Sequence, residues 1–452
     1  MSSTIIMTNK RIKEIMNEVA QKNERFAKLS PETPMGIEEW REVIKANFPE
    51  LVLPAEIGLS VIAQLLIKDI TNPFALVYVD APSSGKTITL NFFSTIEELV
   101  YTTDNFTPAS FVSHAANKKA KELEKTDMLP QIQYKTLLIR DLVPAFAKKD
   151  ENVQEMLGIF IRVLDGEGLE TNSGLYGKRG YKGDYLFMML SASTPIKSRI
   201  WRVMGSLGSR LFFVNIGGEE KTEKELAEQL KESCSEKEKI VRKATGSYLK
   251  TLWSKNPFGI NWAIENDDVK FTIIIAKFAK ALARLRSAIG YEKDDSSFSK
   301  KNLTSPITEM PDRLNQLLYN LARGHALTCG RKQLNDADLK IVARVALDSA
   351  PPKRSQVFKH LILCDGSLYT KQVMELLKVS RPTALKIMRE LVALDLVRAV
   401  GNLESQDDQT VMNHTDQIIK LTEKFSWFKS EECKNLIKHT VKNGLLTKFP
   451  PV

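Results

Sequence analysis

Apolar and polar positions divide the chain into stretches of different texture. Between residues 54 and 68, Ile57, Val61, Ile62, Leu65 and Leu66 recur at helical spacing, which predicts a helix that Pro54 can start. Residues 1–50 also read as helical and amphipathic, ending near Pro49. The pattern then changes to short continuous apolar runs rich in β-branched residues, at 74–79, 136–139, 185–190 and 211–216. Such runs mark strands buried on both faces. Helix-length stretches separate them, and the one at 152–164 puts Val153, Met156, Leu157, Phe160, Val163 and Leu164 on a single face. Strands alternating with helices predict an α/β fold with a parallel sheet.

From about Glu219 the strand pattern stops. A charged helical stretch leads into FTIIIAKFAKALARLRSAIG (271–290), a strongly apolar helix, and the polar segment 291–306 reads as a loop or linker. A helical block resumes at 310–349, Pro351-Pro352 marks a boundary, and 353–402 reads as a small separate unit. The expected divisions are 1–53, 54–218, 219–350, 353–402 and a helical tail, 403–452, without chemical signature. No apolar run is expected to reach the roughly 18 residues of a membrane helix, and the N-terminus lacks a signal-peptide pattern. The four cysteines never fall within four residues of one another, which excludes a CxxC clip and reads as isolated thiols in a reducing cytoplasm. The five histidines show no spacing such as HExxH. With 65 Lys and Arg against 55 Asp and Glu, the net charge of +10 permits a nucleic-acid partner without requiring one.

The segment ALVYVDAPSSGKTITL (75–90) carries the clearest chemistry. An apolar strand runs into Asp80, Ala81, Pro82, Ser83, Ser84, Gly85, Lys86 and Thr87, and a helix follows. The spacing is that of the phosphate-binding pattern GxxxxGK[ST], with Asp80 in place of the first glycine. Gly85 lets backbone N–H groups close around phosphate oxygens, Lys86 reaches the β- and γ-phosphates, and the Thr87 hydroxyl can ligate Mg²⁺. Asp80 is an expected cost, since a carboxylate beside an anion is unfavourable and Asp adopts positive φ less readily than Gly. Asp141, just past the 136–139 run, is the acid that can hold Mg²⁺ or polarise the attacking water, and Arg140 leaves it the single acid there. An ordinary strand-end aspartate capping a turn is the plainer alternative.

Residues 165–184, DGEGLETNSGLYGKRGYKGD, include six of the chain's 22 glycines and predict a β-hairpin raised off the sheet. Lys178, Arg179 and Lys182, interleaved with Tyr176 and Tyr181, supply cations for phosphates and rings for bases; a flexible solvent loop is the other reading. Ser193 and Thr194, after the 185–190 run, can hydrogen-bond a γ-phosphate or water, or merely end the strand. Arg210, directly before the 211–216 run, could reach a neighbouring subunit's γ-phosphate, as the order of the preceding motifs favours, or be an ordinary surface arginine.

In this order the elements resemble the AAA+ ATPases over roughly 55–350. The hairpin insertion is similar to the pre-sensor-1 hairpin of the branch that includes the minichromosome-maintenance helicases and related viral helicases. By that resemblance Lys178, Arg179 or Lys182 would contact DNA, the 309–347 block would be the lid, and Arg313 would be the second sensor arginine. APSSGKT, LIRDL and GSRLFF also look like a group of prokaryotic ATPases that end in a helix-turn-helix. Residues 353–400 carry nine Lys and Arg against four acids. A helix at 369–377, a turn at 378–380 with Ser380 as N-cap, a helix at 381–394 and a strand at 396–400 look like a winged helix-turn-helix. Its second helix turns Leu385, Met388, Leu391 and Leu394 inward and Arg381, Thr383, Lys386 and Arg389 outward. The expectation is an ATP- and Mg²⁺-dependent DNA motor, a helicase or remodeller of replication or a mobile element, acting as a homo-oligomer such as a hexameric ring and not in a membrane. A nucleotide-controlled DNA-binding regulator and a helicase loader or protein remodeller remain as alternatives.

Overall fold

The computed structural model describes residues 29–113, 120–173, 177–208, 210–217, 221–230, 233–293, 301–400 and 416–438. The strands of the first half are β1 (Ala75–Val79), β2 (Val100–Thr103), β3 (Thr136–Ile139), β4 (Gly168–Ser173), β5 (Gly177–Lys182), β6 (Met188–Ser193) and β7 (Leu211–Asn215). Five of them form one sheet in the order β2-β3-β6-β1-β7, every pair parallel. The α/β parallel-sheet expectation therefore holds.

Strand periodicity sorts this sheet's side chains into two cores. Phe74, Leu76, Tyr78, Leu138, Met188, Leu190, Phe212 and Val214 face one layer, which holds the helices Val52–Ala63, Val269–Arg286 and Asp312–Thr328. Ala75, Val77, Val79, Leu137, Ile139, Phe187, Met189, Leu211 and Phe213 face the other, with Asp150–Val163 and Ser198–Leu207. Each fully buried large apolar side chain contributes about 1.5–3 kcal/mol, so two covered faces dominate the stability of this half.

Four features differ from the pattern reading. β2 was not anticipated: its burial runs buried, intermediate, exposed, intermediate, because it is an edge strand without a continuous apolar run. The strand expected at 185–190 lies at Met188–Ser193, where Ser191 and Ser193 are buried against Val77 and Val79 of β1. Residues 291–306 are not a plain linker, since β8 (Tyr291–Lys293) pairs antiparallel with β9 (Lys301–Leu303). The stretch Pro49–Leu66 is long and apolar enough by composition to cross a membrane, but 78% of it is buried inside the protein, as a core helix is.

The C-terminal unit contains β10 (Ser367–Tyr369), β11 (Val397–Val400) and β12 (Ile418–Leu421) with the helices Pro352–Leu363, Thr370–Leu377 and Arg381–Ala393. The sheet order is β10-β12-β11, both pairs antiparallel. A boundary at 402 thus does not separate two units, because the expected helical tail supplies the middle strand. Phe428 packs its ring on Phe358 and on Phe278 of the Val269–Arg286 helix, at 5.1 and 5.5 Å. Residues 1–28 and 439–452, covered by the helical expectations for the two ends, lie outside the described residues.

The helix Asp312–Thr328 lies on Val52–Ala63 at very close range. At Gly324 an added Cβ would stand 2.0 Å from the Ser60 carbonyl oxygen, with backbone as the obstacle. Gly324→Ala is expected to cost about 1–3 kcal/mol through this overpacking. A thermal melt reads it, and an unchanged midpoint would show that the two helices separate easily.

Candidate nucleotide-binding site

The 80–87 loop follows β1, the strand next to last in the sheet. From β1 the chain goes to the far edge at β2, returns through β3 and β6, and then crosses to β7. The loop therefore sits where the strand order reverses, the usual position of a ligand crevice in open parallel sheets.

Backbone geometry shapes the loop. Ser83 and Gly85 have φ of 64° and 89°, and Gly85 lies against the Leu51 side chain, where a Cβ would be 3.1 Å from a methyl group. Lys86 begins the helix Lys86–Asn91 and folds its ammonium back into the loop. Its Nζ donates to Asp80 O at 2.9 Å, to Ser84 Oγ at 3.1 Å and to Ala81 O. Burial lowers the Lys86 pKa below the ordinary lysine value, while Asp80 and Asp141 oppose that shift. The electrostatic reach of Asp141 to Lys86 brings the two predicted groups into one site.

The backbone part of the cost expected at Asp80 is not incurred. Asp80 has no positive φ. Its carboxylate accepts the Ala81 N–H at 2.7 Å through Oδ1 and the Gly217 N–H at 2.8 Å through Oδ2. The acid replaces glycine because it ties the start of the loop to the end of β7. Sequence spacing could not reveal this, since Gly217 lies 137 residues away.

Asp141 stands past the end of β3, exposed, and its Oδ1 accepts the Val143 N–H at 2.8 Å. Arg140 turns to Asp104 at 3.2 Å. Ser193 ends β6 opposite Val79 and is buried, and its carbonyl accepts the Asp80 N–H at 3.4 Å. Thr194 follows, half-buried, and Thr87 is exposed at the start of the loop's helix. The structure thus gathers 80–87, Asp141, Ser193 and Thr194 at the carboxyl ends of three neighbouring strands.

Arg210 and Arg313 lie elsewhere. Arg210 precedes β7, at the amino ends of the strands. It donates to Asp165 Oδ1 from Nε and Nη2 at 3.3 and 3.1 Å, and Arg313 donates to the same oxygen at 2.5 Å. Burial tends to raise the Asp165 pKa, but the two guanidinium groups hold it below the usual carboxylate range. Pattern reading missed Asp165, whose only mark is its place in the glycine-rich segment. Neither arginine belongs to the loop's edge of the sheet.

The predicted hairpin is present as β4 and β5, paired from Gly168↔Lys182 to Ser173↔Gly177. Its glycines serve close packing: a Cβ at Gly168 would be 2.2 Å from Tyr181 O, and one at Gly180 would be 2.1 Å from Leu169 O. Tyr181 is tied down by its hydroxyl, which donates to Asp127 at 2.9 Å. Lys178 pairs with Glu170 at 2.9 Å in an exposed contact worth about 0–1 kcal/mol. Lys182 and Arg179 lie on the same strand, and Tyr176 lies outside the described residues.

In the C-terminal unit the helix Arg381–Ala393 buries Ala384, Ile387, Met388 and Leu391. Leu385 is only half-buried, so Ala384 and Ile387 take the inward face that was assigned to it. Lys386 and Arg389 are exposed, and Arg381 and Thr383 are intermediate. Ser380 stands at the N-cap position but makes no capping bond; its hydroxyl pairs with that of Thr383 at 3.1 Å.

No protein-family model matches the chain, and no curated protein matches it. The arrangement therefore stands on its own geometry. Asp80→Ala removes the acceptor for two backbone N–H groups and is expected to lower stability by about 1–2 kcal/mol. Denaturant unfolding checks it; no change would mean that water replaces both bonds without loss.

Proposed function

We propose that the chain is a nucleoside-triphosphatase of the AAA+ type that acts on DNA as an oligomeric ring. The observation that carries this reading is the division of charged groups between opposite edges of one parallel sheet. Lys86, Thr87 and Asp141 gather at the carboxyl edge, while Arg210 and Arg313 gather at the amino edge on Asp165. In the proposed ring, arginines at this edge would leave Asp165 to serve another copy's loop.

The residues fit Mg²⁺–ATP. Gly85 opens the loop backbone, and Lys86 already points an ammonium at loop oxygens that phosphate oxygens would replace. Thr87 hydroxyl and Asp141 carboxylate are hard oxygen donors of the kind Mg²⁺ takes together with water and phosphate. Bound ATP supplies the phosphoanhydride bond whose hydrolysis drives the cycle. Asp141, fixed by Val143 N–H, and Ser193 or Thr194 would orient the attacking water. The partner subunit would bring a guanidinium to the charge that develops on the phosphate.

The DNA assignment rests on the β4–β5 hairpin with Lys178, Arg179 and Lys182, and on the C-terminal unit read as a winged helix-turn-helix. In the latter, Arg381, Thr383, Lys386 and Arg389 would face DNA, with strongly salt-dependent binding. A second reading, a nucleotide-controlled DNA-binding regulator, is favoured by one chain of contacts. Asp80 holds Gly217 N–H, Arg344 binds the Asn215 carbonyl and Asp348, and Asp348 pairs with Lys359 of the C-terminal unit at 2.6 Å.

Lys86→Ala is expected to reduce Mg²⁺–ATP affinity by about 100-fold, on the scale of a lost charged phosphate contact. Arg210→Ala is expected to keep affinity and lower turnover by about 10³-fold. Mixing the two inactive variants would restore turnover, because a Lys86→Ala copy still offers Arg210 to its neighbour's intact loop. Absence of rescue in demonstrably mixed oligomers would overturn the shared site. Strand separation by the wild type would favour the motor; nucleotide-dependent DNA affinity without it would favour the regulator.

A further inference from the structure

The helix Asp312–Thr328 ends in HALTC, and His325 and Cys329, four residues apart, share one face. The sequence reading of scattered histidines and isolated thiols does not hold at this pair. The helix Val52–Ala63 brings Glu56 to the same point. Glu56 Oε1 stands 2.8 Å from His325 Nε2, and Cys329 Sγ stands 3.7 Å from the same nitrogen. The three candidate donor atoms lie within 4.8 Å of one another.

We propose that Glu56, His325 and Cys329 form a binding site for a thiophilic divalent cation of the zinc type, with a fourth position open to solvent. Zinc at about 2.0–2.1 Å from N and O and about 2.3 Å from S, in tetrahedral geometry, sets N···S near 3.6 Å and N···O near 3.4 Å. The nitrogen and sulfur already stand at that separation, and the carboxylate must withdraw by only about half an ångström. The other ring nitrogen faces Asp338 Oδ1 at 2.5 Å, the carboxylate support that ligating imidazoles characteristically have. Asp338 is itself fixed by Arg331 at 2.7 and 2.8 Å and by the Asn335 N–H at 2.7 Å. Cys329 lines a cleft of about 380 Å³ with Met35, Thr251, Lys255 and Arg331. That opening admits water or a small anion as the fourth ligand.

Arg41 donates to both carboxylate oxygens of Glu56, including Oε1, and to Cys329 Sγ in the metal-free chain, so metal uptake requires this guanidinium to turn away from the two ligand atoms. Tyr248 flanks the same cluster. Metal uptake requires a neutral His325 Nε2 and a Cys329 thiolate, so protons carried by either ligand are released to solvent. Arg41 retains the exposed Glu38 as a partner.

The test titrates metal-free full-length protein with Co²⁺. One equivalent is expected to give a thiolate-to-cobalt charge-transfer band, displaced by Zn²⁺. Cys329→Ser should abolish the band, and Asp338→Asn should weaken Co²⁺ binding at least 10-fold. Protection of Cys329 from iodoacetamide by Zn²⁺, read by peptide mass, supplies a measurement on the unaltered chain. No band in the wild type, a band that survives Cys329→Ser, a band lost in Cys234→Ser (an exposed thiol), or alkylation of Cys329 unaffected by Zn²⁺ would overturn the proposal.

Discussion

A parallel sheet must be covered on both faces, and the rest of this structure follows from that constraint. Parallel strands lack the solvated face that antiparallel sheets tolerate. Phe74, Leu76 and Tyr78 therefore need one helical layer, while Ala75, Val77 and Val79 need another. The first layer places Leu51 against Gly85 and Ser60 against Gly324. The geometry of the 80–87 loop thus depends on the same packing that joins the sheet to the helical region. The edge at β7 is closed by side chains: Ser349 Oγ accepts the Phe213 N–H at 2.8 Å and Asp348 the Asn215 N–H at 3.0 Å. An exposed strand edge is an aggregation liability, and these two acceptors blunt it.

Charge is distributed by the same architecture. Strand direction alone separates groups at the carboxyl ends from groups at the amino ends. Lys86 and Asp141 come to the same edge of the sheet although 55 positions apart in sequence, because β1 and β3 flank β6. Arg210 and Arg313 meet on Asp165 because the Asp312–Thr328 helix begins near the start of β7. Two guanidinium groups on one partly buried carboxylate form a charge-rich cluster, and Asp165 keeps their repulsion in check.

Much of this was legible in the chain itself. The runs at 74–79 and 136–139 gave buried strands because continuous apolar sequence has few other uses, and SGKT after such a run marked the loop. β2 was hidden because VYTT is half-exposed, and β12 because the short strand IIKL resembles a helix fragment. The serines of β6 disguised a strand whose burial comes from its neighbours. Asp80 could only look like a defect until Gly217 appeared beside it. The His325, Glu56 and Asp338 contacts join three helices, so no local spacing exposed the whole cluster, although HALTC did carry part of it.

The middle place of β12 in the C-terminal sheet has a consequence for synthesis. β10 and β11 each pair with β12 and not with each other. As the chain leaves the ribosome at about 5–20 residues per second, both outer strands wait with unpaired edges until residue 421 has emerged. The parallel-sheet half depends on the distal chain through the helices Val269–Arg286 and Asp312–Thr328 and the edge acceptors Asp348 and Ser349, which all emerge before β12. Birth order thus imposes a sequence of assembly in which the basic unit closes last, after the large core that carries it is already in place.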